Sequence, residues 1–346
     1  MKAIAKTKRE YGCLEMIDIP KPAPGPNEVL IKVSAVGVCG SDVHIYKYDD
    51  TYHHIPIPLI VGHEYVGAIE EVGQGVTAWK PGDKVMGESV IPCEMCSFCR
   101  TGSWQVCPNR KGLGITYAGM MAEYVTVPQQ ILHHIPAELP DALAVVAQPF
   151  SVALHGIERA QIPSGEKAIA VFGPGIIGLG AALSIKESNA GTVILFGITE
   201  DEAVRMPLAR KLGIEAVDLG KESPRDALNR LAGPSDGFDF ALDCSGAAPA
   251  LQHAFKALRK GGTLMEIGIP TSAITIDLAA MVRSETNLKT SYSASWQSYE
   301  HAIRLIGRHR EMLQSMVGIY ELENYLAAFE ASVRREDLKS VVFFWQ

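Results

Sequence analysis

What the sequence lacks narrows its role first. No uninterrupted apolar run approaches the ~20 residues needed to cross a bilayer. The opening stretch, "MKAIAKTKREYGCLEMIDIP", contains neither the apolar centre nor the small-residue cleavage site of a secretory signal. The expected setting is therefore the cytoplasm. There is no basic surplus either: the net charge is −7. General attraction to nucleic acid or to an anionic membrane is not expected, so neither of those is expected as a partner. Internal repeats, low-complexity tracts and Ser/Gly-rich linkers are missing. At 346 residues, 47% of them hydrophobic, the chain is too long for one ordinary core and has the apolar content for two domains.

Cysteine is scarce, and its distribution is uneven. Of seven cysteines, four lie in "CEMCSFCRTGSWQVC", residues 93–107. Thiols stay reduced in the cytoplasm, so a cluster there binds metal or does chemistry more often than it forms disulfides. Cys93, Cys96, Cys99 and Cys107 follow C-x2-C-x2-C-x7-C, short gaps that let four sulfurs converge on one ion. Four thiolates suit a closed tetrahedral zinc site. A CxxC redox pair predicts two cysteines, not four. With no open coordination position, this zinc is structural, and it pins a lobe over residues 88–112.

The pattern along the chain changes once. Residues 1 to about 150 alternate short β-runs with turn signals, the pattern of a partly open β-barrel. From "GEKAIAVFG" onward, strands alternate with helical stretches, which predicts a doubly wound parallel sheet. "KAIAVFG" is continuously apolar, as a strand covered on both faces should be. The expected division is a catalytic domain over 1–150 and 293–346 around a dinucleotide-binding domain over 151–292. "GPGIIG" supplies Gly173, Pro174, Gly175, Ile176, Ile177 and Gly178 after a strand and at the start of a helix, the context of a dinucleotide fingerprint. The ribose end is less plain. The second strand ends in Gly197, and Glu200, Asp201 and Arg205 follow it. No cation directly follows the strand to receive a 2′-phosphate, so NAD is expected in preference to NADP. Pro207 would disturb a helix interior, so an unusual loop is expected there. Ser245, Gly246, Ile267, Gly268 and Ile269 are the further candidates for the cofactor surface.

A second constellation lies in "GVCGSDVHIY" and "VGHEYVG": Cys39, Ser41, His44, His63 and Glu64. Cys39, His63 and Glu64 are competent zinc ligands, and three of them leave room for a fourth.

With "GPGIIG", the four-cysteine lobe and "QPFSVALHG", these motifs resemble, in order and spacing, the zinc-containing medium-chain alcohol dehydrogenases. The similarity covers essentially the whole chain. It is greatest to the polyol (sorbitol-type) and L-threonine 3-dehydrogenase branches. The resemblance implies a GroES-like catalytic barrel beside a Rossmann domain. It implies two zinc ions per chain, one catalytic and one structural, and oxidation of a secondary alcohol such as a polyol, with hydride passing to NAD(P). It further implies a proton relay from Ser41 to His44, a homotetramer, and pocket residues Ile45, Tyr117 and Tyr292. Two positions depart from the family. Gln148 stands where a glutamate approaches the zinc; with Cys39 and Glu64 ionised, it leaves the metal cluster neutral rather than −1. Val90 stands where threonine dehydrogenases characteristically have a histidine. Three readings remain at this point: a polyol or sugar-alcohol dehydrogenase, a threonine 3-dehydrogenase, and a non-catalytic dinucleotide-binding protein that has lost activity at Gln148.

Overall fold

The turn-punctuated first 150 residues do form short strands, and the alternating stretch does form a parallel sheet. The computed structural model describes residues 1–165 and 167–345. Its two units are Met1–Gln148 with Ser295–Gln346, and Pro149–Ala294. None of the described helices is long and apolar enough to cross a membrane.

The first unit is built on a seven-stranded sheet. Glu28–Gly37 lies at its centre, pairing with Glu64–Val72, with Tyr124–Pro128 and with the C-terminal strand Lys339–Phe343. Register shifts between Leu30 and Ile31 and between Val33 and Ala35 bend this strand and let it serve three neighbours. A smaller sheet joins Lys2–Lys6 to Leu14–Asp18 and Leu59–Ile60. Val33, Tyr65, Val85 and Phe329 are fully buried in the enclosed core. The last strand thus completes a sheet begun 300 residues earlier, and one register sets the site: Gly37 lies opposite Glu64 on one side and Val341 on the other.

The second unit carries six parallel strands. In spatial order they are Glu215–Asp218, Gly191–Gly197, Lys167–Phe172, Phe238–Asp243, Leu258–Glu266 and Asn287–Thr290. Numbered along the chain this is 3-2-1-4-5-6, the order that opens a crevice between the first and fourth strands. Ala170, Val171 and Phe172 are all buried, so both faces of the first strand are covered. Pro207 does not break its helix. It falls in the first turn of Arg205–Lys211, where the missing N–H has no intrahelical partner in any case.

Candidate active site

Cys39 is the N-cap of the helix Gly40–Lys47, and Asp42 makes that cap rigid. The fully buried Asp42 carboxylate accepts from the Cys39 N–H (2.9 Å) and from the Gly62 N–H (3.1 Å). One side chain therefore ties the loop carrying Cys39 to the loop carrying His63. Burial raises its pKa above the ordinary carboxylate value. Glu64 opens the strand Glu64–Val72, and one ligand atom each from Cys39, His63 and Glu64 lies within 4.8 Å of the others. His63 Nδ1 is buried with no hydrogen-bond partner among the described residues. A thiol, an imidazole with an unused nitrogen and a carboxylate fit a divalent zinc. Burial opposes a charge on His63, but the Cys39 thiolate and the Asp42 carboxylate outweigh it and hold the imidazole at about 9.

Sequence reasoning missed a fourth member. Lys339 Nζ, buried, donates to both Glu64 oxygens (2.9 and 2.7 Å) and to the Val38 carbonyl (2.9 Å). The charge count made from the sequence is corrected accordingly: the cluster contains an ammonium that offsets the Glu64 carboxylate. No signal near Glu64 announces it, because Lys339 is 275 residues away and arrives only through sheet pairing.

Ser41 lies in the first turn of the same helix, its hydroxyl buried and unpartnered among the described residues. His44 lies one turn on, in short contact with Asp49. Gln148, buried at the start of the helix Ala147–Ala160, hydrogen-bonds the Tyr299 hydroxyl, which also accepts from the Ser89 N–H (3.2 Å). Burial pushes Tyr299 up to about 12, so this hydroxyl stays protonated at neutral pH.

In the second unit the structure brings the cofactor candidates to the carboxyl ends of the strands. Gly173 has φ +93°, and a Cβ there would sit 2.9 Å from Ser245 Cβ. A Cβ at Gly178 would collide with the Gly173 carbonyl, whereas Gly175, capping the helix Ile176–Glu187, faces open space. Ser245 donates from N and Oγ to the fully buried Asp243 (2.8 and 2.6 Å), and Gly246 packs on the backbone of Gly268 and Ile269. Pro174 is buried and Ile176 and Ile177 are half-buried; Ile267 is buried and Ile269 exposed. At the ribose end, Asp201 is 5% exposed and turned into its own turn, accepting from the Ile198 N–H (3.1 Å) with Arg205 3.5 Å away. Glu200 is exposed.

The four lobe cysteines also converge. Sγ–Sγ separations of 3.9 Å (Cys93–Cys99), 3.5 Å (Cys96–Cys99) and 3.8 Å (Cys96–Cys107) bracket the ~3.8 Å edge of a tetrahedron with 2.3 Å Zn–S bonds. The N–H groups of Cys96 and Met95 hold the Cys93 thiol down to about 6, while burial pushes Cys99 up to about 12. The pocket candidates belong to both units. Ile45 is fully buried in the core of the first unit, Tyr117 is half exposed there over a groove of about 400 Å³, and Tyr292 belongs to the second unit.

The comparisons agree with this geometry. Residues 25–137 match the alcohol dehydrogenase GroES-like domain model, and residues 177–308 match the zinc-binding dehydrogenase model. An L-threonine 3-dehydrogenase of Sinorhizobium fredii is 40% identical over 84% of this chain and 83% of its own. That of Salmonella paratyphi B is 35% identical over 100% of both. A zinc-binding dehydrogenase from Sinorhizobium meliloti, solved bound to NADP, superposes with a TM-score of 0.87 at 26% identity over 99% of each chain. A Rossmann sheet in one unit and a GroES-like fold with two zinc-competent clusters in the other define a metal-dependent nicotinamide dehydrogenase. The chain belongs to the zinc-binding alcohol dehydrogenase family. It is an oxidoreductase that uses zinc and NAD(P) on a small-molecule alcohol.

Proposed function

We propose that the protein oxidises a secondary alcohol of the polyol or sugar-alcohol class to a ketone, reducing NAD. The carrying observation is the Cys39–His63–Glu64 cluster with an unpartnered, buried Ser41 hydroxyl on the helix that Cys39 caps. In this reading Cys39, His63 and Glu64 hold the catalytic zinc, and Cys93, Cys96, Cys99 and Cys107 the structural one. When bound, the catalytic ion supplies Lewis-acid polarisation of the alcohol oxygen. Ser41 receives the alcohol proton and His44 delivers it to solvent. Gly173, Gly175 and Gly178 admit the cofactor pyrophosphate to the helix N-terminus. The turn after the second strand favours NAD: the exposed Glu200 repels a 2′-phosphate, and Arg205 is already turned toward Asp201.

Val90, buried in the strand Val90–Ile91, offers no imidazole to an amino-acid substrate, which supports the polyol reading. The named relatives favour a second reading, L-threonine oxidation. We assign the first unit the catalytic role and the second the cofactor, and propose a homotetramer. Exposed Leu278 and Val282 on the helix Leu278–Ser284, and exposed Leu288 in the edge strand Asn287–Thr290, support self-association.

The test is metal analysis with an NAD- and NADP-reduction panel of polyols, sugar acids, simple secondary alcohols and L-threonine. Two zincs per chain and NAD-linked turnover of polyols are expected. Turnover of threonine alone would replace the first reading by the second. For Gln148→Glu, the added anion disfavours proton loss from the reacting alcohol. The acid limb of the pH–rate profile, where the rate rises as the alcohol loses its proton, is expected to move upward, and an unmoved limb would remove Gln148 from the site's electrostatics.

A further inference from the structure

We infer that Asp49 is a positioning residue for the proton relay, holding the His44 imidazole with its proton on Nδ1 and its lone pair on Nε2. The inference rests on the relay role proposed for His44 and adds a group that sequence reasoning did not single out.

The helix Gly40–Lys47 stops because Tyr48 adopts a left-handed conformation (φ 53°, ψ 50°), its N–H returning to the Ile45 carbonyl at 3.1 Å. The chain doubles back. The Asp49 N–H then meets the His44 carbonyl (3.3 Å), and Asp49 Oδ2 comes into short contact with His44 Nδ1. The other oxygen, Oδ1, accepts from the Thr51 N–H (3.3 Å) and caps the single turn Asp50–Tyr52. One carboxylate oxygen is thus tied to its own backbone turn, which fixes where the other points. The Tyr52 ring lies nearly parallel to the imidazole, at 18°, with the ring centres 6.1 Å apart. The other charged groups nearby are turned elsewhere. Asp50 faces His53 at 3.5 Å, and Arg9 Nη1 donates to the Tyr48 hydroxyl (3.1 Å) and the His53 carbonyl (3.2 Å).

An ionised carboxylate only accepts hydrogen bonds, so the nitrogen facing it must carry the proton. In the neutral ring that leaves Nε2 as the base. The proton arriving from the Ser41 side forms the new N–H bond at Nε2. Asp49 stays ionised throughout, and the imidazolium returns the proton to water from Nε2. Without Asp49 the ring divides between two tautomers and rotates. A positioned base contributes roughly 10²–10⁴-fold. Because His44 and Asp49 are 37% and 34% exposed, solvent can replace part of the orientation. The expected loss is accordingly at or below the lower bound of that range, about 10–100-fold in kcat.

The test uses the zinc-loaded, full-length enzyme with ¹⁵N-labelled histidine. Kinetics are read on (2R,3R)-butane-2,3-diol and L-threonine as probes. The wild-type His44 signal, assigned through its loss in His44→Asn, is expected as the Nδ1–H tautomer. An Nε2–H signal in the wild type would overturn the inference without any variant. Asp49→Asn, whose amide can still cap Thr51 but can also donate to Nδ1, is expected to shift the tautomer to Nε2–H. It should lower kcat about 10–100-fold with the KM for NAD unchanged, and added imidazole should restore part of the rate. Asp49→Glu should recover more activity than Asp49→Asn. If His44→Asn is slow while Asp49→Asn keeps both rate and tautomer, the relay stands and the role of Asp49 falls. If His44→Asn itself leaves kcat unchanged, the relay falls and takes the inference with it.

Discussion

Cys107→Ser is expected to cost the protein one of its two zinc ions and the order of the lobe over residues 88–112. Cys107 is fully buried, and its sulfur lies 3.8 Å from Cys96. The lobe has little apolar core to fall back on. Met95, Phe98 and Val106 are 76%, 46% and 42% exposed, so the metal and its sulfurs stand where a hydrophobic centre would otherwise be. Structural zinc contributes about 10–16 kcal/mol in zinc-finger peptides. Even a fraction of that is comparable with the whole stability of a typical domain, about 5–15 kcal/mol. Metal content should fall from two to one per chain, and thermal unfolding should begin at a markedly lower temperature. A variant that keeps two zincs and an unchanged unfolding midpoint would show that these four thiols do not share an ion.

Lys339→Met is the second large effect, and its size should depend on metal. In the metal-free protein the substitution leaves the Glu64 carboxylate buried without its cation, and breaking a buried pair in this way costs about 3–5 kcal/mol. A divalent ion on Cys39, His63 and Glu64 replaces the missing positive charge. The zinc-loaded variant should therefore lose much less stability than the chelated one. By the same balance it should bind the catalytic zinc more tightly than the wild type, since the ion no longer competes with an ammonium for the same oxygens. Calorimetric unfolding of both proteins, with and without chelator, reads the difference. Equal losses in the two states would mean that Glu64 does not take part in holding the ion.

Both effects bear on how much could be read from the residues alone. The lobe could be: four cysteines within fifteen positions need no long-range information, because short loops can only bring their sulfurs together. The glycine fingerprint could be too, since Gly173, Gly175 and Gly178 act through backbone space within one strand–turn–helix. Pro207 was read as a disturbance because a proline marks no helix start by itself; the helix begins at Arg205, which puts Pro207 in the first turn. For Ile45, its place in the helix Gly40–Lys47 gives its position and not which face meets the core, where the structure buries it. Asp49 left a weak trace, an acid five residues after His44. That spacing does not fall on one helix face, and it brings the two together only because Tyr48 turns the chain left-handed.

The sequence by itself determined the two kinds of layer, the four-cysteine lobe, the glycine-rich turn and the identity of three zinc-competent donors. All of these are set by residues close together in the chain, or by residue types with few other uses. Only the tertiary structure decided the electrostatics around those donors. Lys339 reaches Glu64, and Tyr299 reaches Gln148, through strand pairing and helix packing that join the two ends of the chain. Charge acts over ångströms in space, and distance along the sequence does not limit it.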